Sequence, residues 1–279
     1  MAKSRVAHAG DVSANSLWLF FAASFAMAWG LLLLLLAFPE SLESVFGPLR
    51  ASHPLFILAV YSPAIAAFAL VAWHGGIRGL RGFLSRLLKW RAAPGWYALL
   101  LAGLPAVFFL GAAISGRTAS EALEQLSPAS LLAGAAFMLF LGPIEEFGWR
   151  GYATPLLQRR MAPVFAGLLI GLIWAIWHLP AFFLSGLPQD GWDVMPFMLG
   201  TIAASVILTA LFNAAGGSIL IAILFHWQIN MPFWPDGQPW DMYLFVVLAV
   251  MIVWMNRDAM FSREAAATVV IPSAQGGDR

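Results

Sequence analysis

No cysteine occurs anywhere in the 279 residues. That excludes disulfides, thiolate metal sites and thiol nucleophiles. Charge is scarce too: 10% of residues are Asp, Glu, Lys or Arg, against 61% hydrophobic. A soluble domain carries about 25% charged and 45–50% apolar residues, so the composition specifies an integral membrane protein. The formal net charge of +1 gives no sign of a nucleic-acid partner, and none is expected. The first apolar run has only a short basic lead, Lys3 and Arg5. Its uncharged stretch from Ser16 to Pro39 is too long for the core of a signal peptide, so it reads as a retained span.

What is abundant is apolar sequence in lengths suited to a bilayer. Eight candidate spans meet the criterion of about 20 apolar residues: Leu17–Phe38, Leu55–Trp73, Trp96–Ile114, Leu131–Phe147, Val164–Leu184, Phe197–Ala214, Ser218–Pro232 and Met242–Met255. The fold class expected is all-α, a multi-pass bundle of about eight transmembrane helices plus one amphipathic surface helix. Lys and Arg mark the cytoplasmic ends of such spans. With the N-terminus inside, Lys3, Arg5, Arg78, Arg81, Arg86, Lys89, Arg91, Arg159, Arg160, Arg257 and Arg263 are all cytoplasmic, and Arg50 and Arg117 fall outside. The opposite loops hold Glu40, Glu43, Glu121, Glu124, Asp190, Asp193, Asp236 and Asp241. An odd number of spans would scramble this pattern, so a cell-membrane protein with both termini cytoplasmic is expected.

The chain divides into an N-terminal cytosolic arm (1–16), a first group of membrane helices with the amphipathic helix (17–128), a core (129–256) and a flexible tail (257–279). The amphipathic helix is Ile77–Trp90, where Ile77, Leu80, Phe83, Leu84, Leu87 and Leu88 recur at helical spacing opposite Arg78, Arg81, Arg86 and Lys89. Trp18, Trp73, Trp90, Trp96, Trp240 and Trp254 fall near span ends, as interfacial anchors do.

One run stands out against this background: Gly142-Pro143-Ile144-Glu145-Glu146-Phe147-Gly148-Trp149-Arg150-Gly151-Tyr152. An ionisable residue at a bilayer centre costs roughly 2.5–3.5 kcal/mol on the lenient insertion scale, so it marks a functional site by default. On a helix Glu146 and Arg150 are at i,i+4 and can pair. Glu145 is turned about 100° away, toward a different neighbour. The run therefore holds one neutralised carboxylate and one left over.

Further polar groups lie deep in apolar sequence. Gly167, Gly171 and Ala175 form a small-residue face that admits a close helix, and His178 continues that face two turns on, with Trp174 one turn behind it. His226 and Asn230 share a face at i,i+4. Thr201, Ser205, Thr209 and Asn213 recur every four residues and are expected to bond between helices. His8, His53 and His74 are assigned to no site. A carboxylate and an imidazole can hold a water and remove its proton. A second imidazole and an amide can donate to the oxygen of a tetrahedral intermediate, each donor worth about 3–4 kcal/mol. The sum is water attack on an amide. Zinc is the competing account, since Glu145, His178 and His226 make a three-ligand set with an open position for water; no H-E-x-x-H accompanies them.

The order Glu145-Glu146-x-x-x-Arg150, then Trp174-x-x-x-His178, then His226-x-x-x-Asn230 resembles the three motifs of the CPBP family, the type II CAAX prenyl endopeptidase, bacteriocin-processing and abortive-infection group. The wording Glu-Glu-Phe-Gly-Trp-Arg-Gly-Tyr, and Ile-Trp-Ala-Ile-Trp-His-Leu-Pro at Ile173–Pro180, is close to its bacterial members. The resemblance covers Pro143 to Asn230. It implies an eight-helix membrane endopeptidase cutting a peptide or membrane-protein substrate near the cytosolic side. It also implies that Glu145 and His178 activate water, that His226 and Asn230 stabilise the oxyanion, and that Glu146 and Arg150 support Glu145. Trp174 stands where the family more often has Phe; the aromatic is kept, and the change is expected to be without consequence. Family members are labelled metalloproteases as well as metal-free, so zinc or no cofactor both stay open. A catalytically silent membrane interaction or immunity protein is the alternative, and a proton-coupled transporter is disfavoured because the two halves show no similarity. At 1.5 Å per residue, Glu145 falls nearer the inner surface than His178 unless its helix runs on past Arg150 or the bundle tilts.

Overall fold

The computed structural model describes residues 12–117 and 127–272, and every described regular element is helical. His8, Glu121 and Glu124 lie outside the described residues. Five helices are long and apolar enough to cross a membrane: α1 (Ala14–Ala37), α4 (Pro94–Ile114), α5 (Pro128–Gln158), α6 (Pro163–Phe183) and α7 (Val194–Ala214). A sixth span is broken, with α2 (Pro54–Val60) and α3 (Ser62–Leu88) meeting at a 53° bend. Two shorter apolar helices, α8 (Ile219–Ile229) and α9 (Trp240–Met255), complete the eight segments read from the sequence. The chain is a multi-pass helical membrane protein.

The helices bury two connected sets of apolar side chains. One draws on α1, α2, α3, the second half of α5 and α6, around Phe20, Phe83, Trp149, Tyr152 and Ile170. The other draws on α4, α7, α8 and α9, around Leu104, Ile207, Leu211 and Phe225. Glycines hold α6 to α7. A Cβ on Gly171 would lie 2.7 Å from Ile202 Cα, and one on Gly167 would lie 3.0 Å from Thr209 Oγ1. The small-residue face thus works as expected, and Ser205 Oγ donates across it to the Gly167 carbonyl at 2.9 Å. Asn213 bonds between helices as well, donating to Gln158 Oε1 at 2.6 Å. Thr209 differs: its hydroxyl turns back to the Ser205 carbonyl within its own helix.

Two expectations need correction. The amphipathic segment does not present all of its basic residues to the surface. It continues α3 after a kink at Gly76, whose φ of 56° suits glycine because no Cβ is present to clash. Arg78 and Arg81 are exposed, but Arg86 is fully buried. Periodicity could not separate them, because Arg86 faces a neighbouring helix rather than water. The tail is also packed, not free, as far as it is described. Val270 is fully buried. Ala267 and Thr268 offer carbonyls to Gln158 Nε2 at 3.0 Å and Arg159 Nε at 2.9 Å. The sequence there is polar and Ala-rich, and its partners are backbone acceptors that composition does not reveal.

Candidate active site

The site is built on an irregular stretch of α5. The regular helix Pro128–Phe140 stops at Leu141, whose φ of −82° and ψ of −82° leave the helical region. A 3-10 turn, Gly142–Glu145, follows, then Glu146–Gly148, then a π-turn over Trp149–Ala153, then Thr154–Gln158. The helix does run on past Arg150, the first of the two alternatives for the depth of Glu145. The π-turn has a local cause. Pro155 has no N–H for the carbonyls one turn back. Arg86 takes those carbonyls instead, donating from Nη1 to Gly151 O at 2.6 Å and from Nη2 to Arg150 O at 3.4 Å, while its Nε donates to Gly217 O at 2.9 Å. Thr154 Oγ1 donates to Trp149 O at 2.8 Å. Buried carbonyls need partners, and here an arginine from α3 supplies them.

This irregular turn aims the two carboxylates apart. Glu145 is 3% exposed, and its Oε2 accepts hydrogen bonds from Trp149 Nε1 at 3.0 Å and Trp174 Nε1 at 2.8 Å. Its Oε1 has no hydrogen bond among the described residues and belongs to the carboxylate that lines the cavity below. Glu146 is fully buried. Its Oε1 meets Arg150 Nη1 at 3.2 Å, the expected i,i+4 pair, and also His226 Nδ1 at 2.7 Å. Arg150 lies with its guanidinium carbon 5.0 Å from the Trp174 ring centroid, and its Nε and Nη2 have no hydrogen-bond partner among the described residues.

The histidines come from two other helices. His178 caps the regular part of α6, where Pro180 opens a 3-10 turn. Its Nδ1 is 2.8 Å from the Trp174 carbonyl. A carbonyl can only accept, so Nδ1 carries the hydrogen and Nε2 presents a lone pair. The Trp174 ring lies between the imidazoles, at centroid distances of 5.6 Å from His178 and 5.2 Å from His226. Asn230 ends α8 one turn beyond His226. Glu145, His178, His226 and Asn230 all line one cavity of about 580 Å³. Glu146 and Arg150 do not reach it and act from behind.

Three contributors were not singled out from the sequence. Gly142 sits against the histidine and the amide: a Cβ there would run into Asn230 Nδ2 and come within 3.0 Å of His226 Nε2. The Gly-Pro pair just before the two glutamates was the available signal. Trp149 is at i+4 from Glu145, a spacing that could have been read. Arg86 gave no signal beyond its charge. A correction concerns Trp174, whose indole N–H donates to Glu145, a bond phenylalanine cannot make.

Among the described residues no group of three His, Asp or Glu side chains is placed to hold a metal ion. As arranged, Glu145, His178 and His226 do not form such a group.

The cavity has a definite direction. Its lining includes Ala51, Pro188, Gln189, Trp192, Asp236 and Gln238, all from the loops opposite the basic ones.

Comparison with known proteins agrees with the motifs. Residues 127–232 match the family described as Type II CAAX prenyl endopeptidase Rce1-like. CAAX prenyl protease 2 of Methanococcus maripaludis is 34% identical over 100 residues, which are 34% of this chain and 37% of that protein. Lysostaphin resistance protein A of Staphylococcus haemolyticus is 29% identical over 162 residues, 54% of this chain and 42% of that protein. The chain thus spans less than half the length of these curated relatives. The family match falls on the segment that carries α5, α6, α7 and α8, and so includes Glu145, His178, His226 and Asn230. Through residues 127–232, less than half of its length, the chain is similar to the Rce1-like type II CAAX prenyl endopeptidases.

Proposed function

We propose that the protein is an intramembrane endopeptidase that hydrolyses a peptide bond by direct attack of water. The observation that carries this reading is the convergence of Glu145, His178, His226 and Asn230, from three helices, on one cavity. Water held between Glu145 Oε1 and His178 Nε2 gives up a proton as its oxygen attacks the carbonyl carbon. The proton passes to the leaving amine as the C–N bond breaks. Asn230 Nδ2 and His226 Nε2 face the developing oxyanion. His226 is held for this role by Glu146, whose Oε1 lies 2.7 Å from its Nδ1. Arg150 holds Glu146 in turn. General-base assistance is worth about 10²–10⁴ in rate and one oxyanion donor about 10²–10³.

The substrate class is a peptide or a membrane-protein segment that can enter from the bilayer surface. Glu145→Ala should abolish hydrolysis while the protein still inserts and purifies; full activity in that variant ends the reading. The mechanism needs no metal, so activity should survive a chelator, and loss on chelation with rescue by zinc would overturn that part of it. A second reading, a catalytically silent interaction or immunity protein, draws only on the name of the relative called Lysostaphin resistance protein A. Proteolysis assays on co-expressed membrane peptides separate the two.

A further inference from the structure

We infer that Asp241 is a specificity-determining residue of the cavity, and that it receives a lysine or arginine side chain of the bound polypeptide. That the polypeptide is then cut rests on the endopeptidase reading; the cation site itself does not.

The first observation is a buried carboxylate left without a cation. Asp241 lies in the first turn of α9, is 3% exposed and lines the same cavity as Glu145. Its Oδ1 accepts a hydrogen bond from Met242 N at 2.8 Å. Its Oδ2 has no hydrogen bond or ion pair among the described residues. Arg117 is paired with Asp236 instead. Two glycines fix the backbone that carries this side chain. A Cβ on Gly111 of α4 would lie 2.8 Å from Asp241 N, and one on Gly237 would lie 3.1 Å from Asp241 Cβ. Burying a charge is costly unless it is paired, and no described residue pairs with this one.

The second observation is the lining around it. Glu145, Asp236 and Asp241 all line the cavity, and among the described residues no Lys or Arg does. Gln238, three residues before Asp241, lines it as well, and its buried Oε1 has no hydrogen-bond partner among the described residues. A cation from outside brings the donors that these acceptors lack. Opposite charges also attract more strongly in a site shielded from water than in bulk solvent.

The third observation decides which cation fits. Phe245 is one turn beyond Asp241 on the same face of α9. Its ring meets Phe108 edge-on at a centroid distance of 5.7 Å, and Phe108 stacks on Trp234 at 6.4 Å. All three rings line the cavity. A long basic side chain can lay its apolar stem along such rings and carry its charge beyond them. Aromatic faces attract the cation too. A free amino terminus has the charge without the stem, and a neutral side chain has the stem without the charge.

The test uses the full chain carrying Glu145→Ala, which leaves the peptide uncut and removes the other buried carboxylate of the cavity. The probes are apolar peptides of about nine residues, acetylated and amidated, each with one lysine moved to a different position. Each is compared by calorimetry in detergent with the same peptide carrying norleucine, which keeps the stem and loses the charge. At one or more positions lysine should bind about 10- to 100-fold tighter, as expected of a hydrogen bond to a charged group. Adding Asp241→Asn should remove the difference. A norleucine peptide with a free amino terminus should gain nothing. Equal binding of every lysine and norleucine pair overturns the inference. So does a lysine preference that survives Asp241→Asn, or a gain seen only with the free terminus. Lysine-selective binding with no cleavage of these peptides by the wild type would strike at the endopeptidase reading alone. Cleavage by the wild type with no lysine preference in binding would strike at this inference alone.

Discussion

The indole nitrogen of Trp174 stands 2.8 Å from Glu145 Oε2, and the same oxygen takes a second indole, Trp149, at 3.0 Å. Two neutral donors thus fix one oxygen of a carboxylate that has no cation of its own. They orient it without neutralising it, and they leave the other oxygen for chemistry. Glu146, one residue along, is treated in the opposite way, tied on one oxygen by Arg150 and His226.

Trp174→Phe should keep the ring stack between the histidines and lose the hydrogen bond. A hydrogen bond to a charged group is worth about 1.5–3 kcal/mol, and 1.36 kcal/mol is tenfold in rate. We expect kcat/KM for peptide hydrolysis to fall about 10- to 100-fold with the unfolding temperature in detergent little changed. Wild-type kinetics in that variant would show that the bond is incidental.

Gly142→Ala should be more damaging to activity than to folding. Its methyl group would displace the Asn230 amide and press on His226. Losing one oxyanion donor costs about 10²–10³ in kcat, and that is the loss expected, with KM moving less. Steady-state kinetics on a fixed peptide measures the split.

Glu146→Ala should destabilise the fold, unlike Glu145→Ala. It leaves Arg150 buried without its anion and His226 without its carboxylate partner. Breaking a buried pair by removing one partner costs about 3–5 kcal/mol. Thermal unfolding in detergent should separate the two glutamates clearly; equal unfolding temperatures would contradict the assignment of Glu146 as the paired one.

Arg86→Ala should also destabilise, through backbone rather than charge. The carbonyls of Gly151 and Gly217 lose a charged donor in a site closed to water. The expected cost is about 3 kcal/mol or more. Because Arg86 bonds to the Arg150 carbonyl as well, the surviving folded fraction should show a lowered kcat. Comparing activity per folded molecule with the wild type checks this.

Much was legible in the chain itself. The shortage of charge and the length of the apolar runs determined the class and the eight apolar segments, because burying an unpaired charge in hydrocarbon is costly at any position. Spacing determined that Glu146 meets Arg150 and that His226 and Asn230 share a face, since both relations are set within one helix. What spacing could not decide was anything supplied by another helix. The donors on Glu145 include Trp174 from α6, the second partner of Glu146 is His226 from α8, and the carbonyls beside Pro155 are taken by Arg86 from α3. The direction of the cavity belongs to the same class, because it depends on which halves of several helices draw apart. Helical periodicity is a local rule, whereas these contacts join residues tens of positions distant, and only the packed bundle brings them within bonding range.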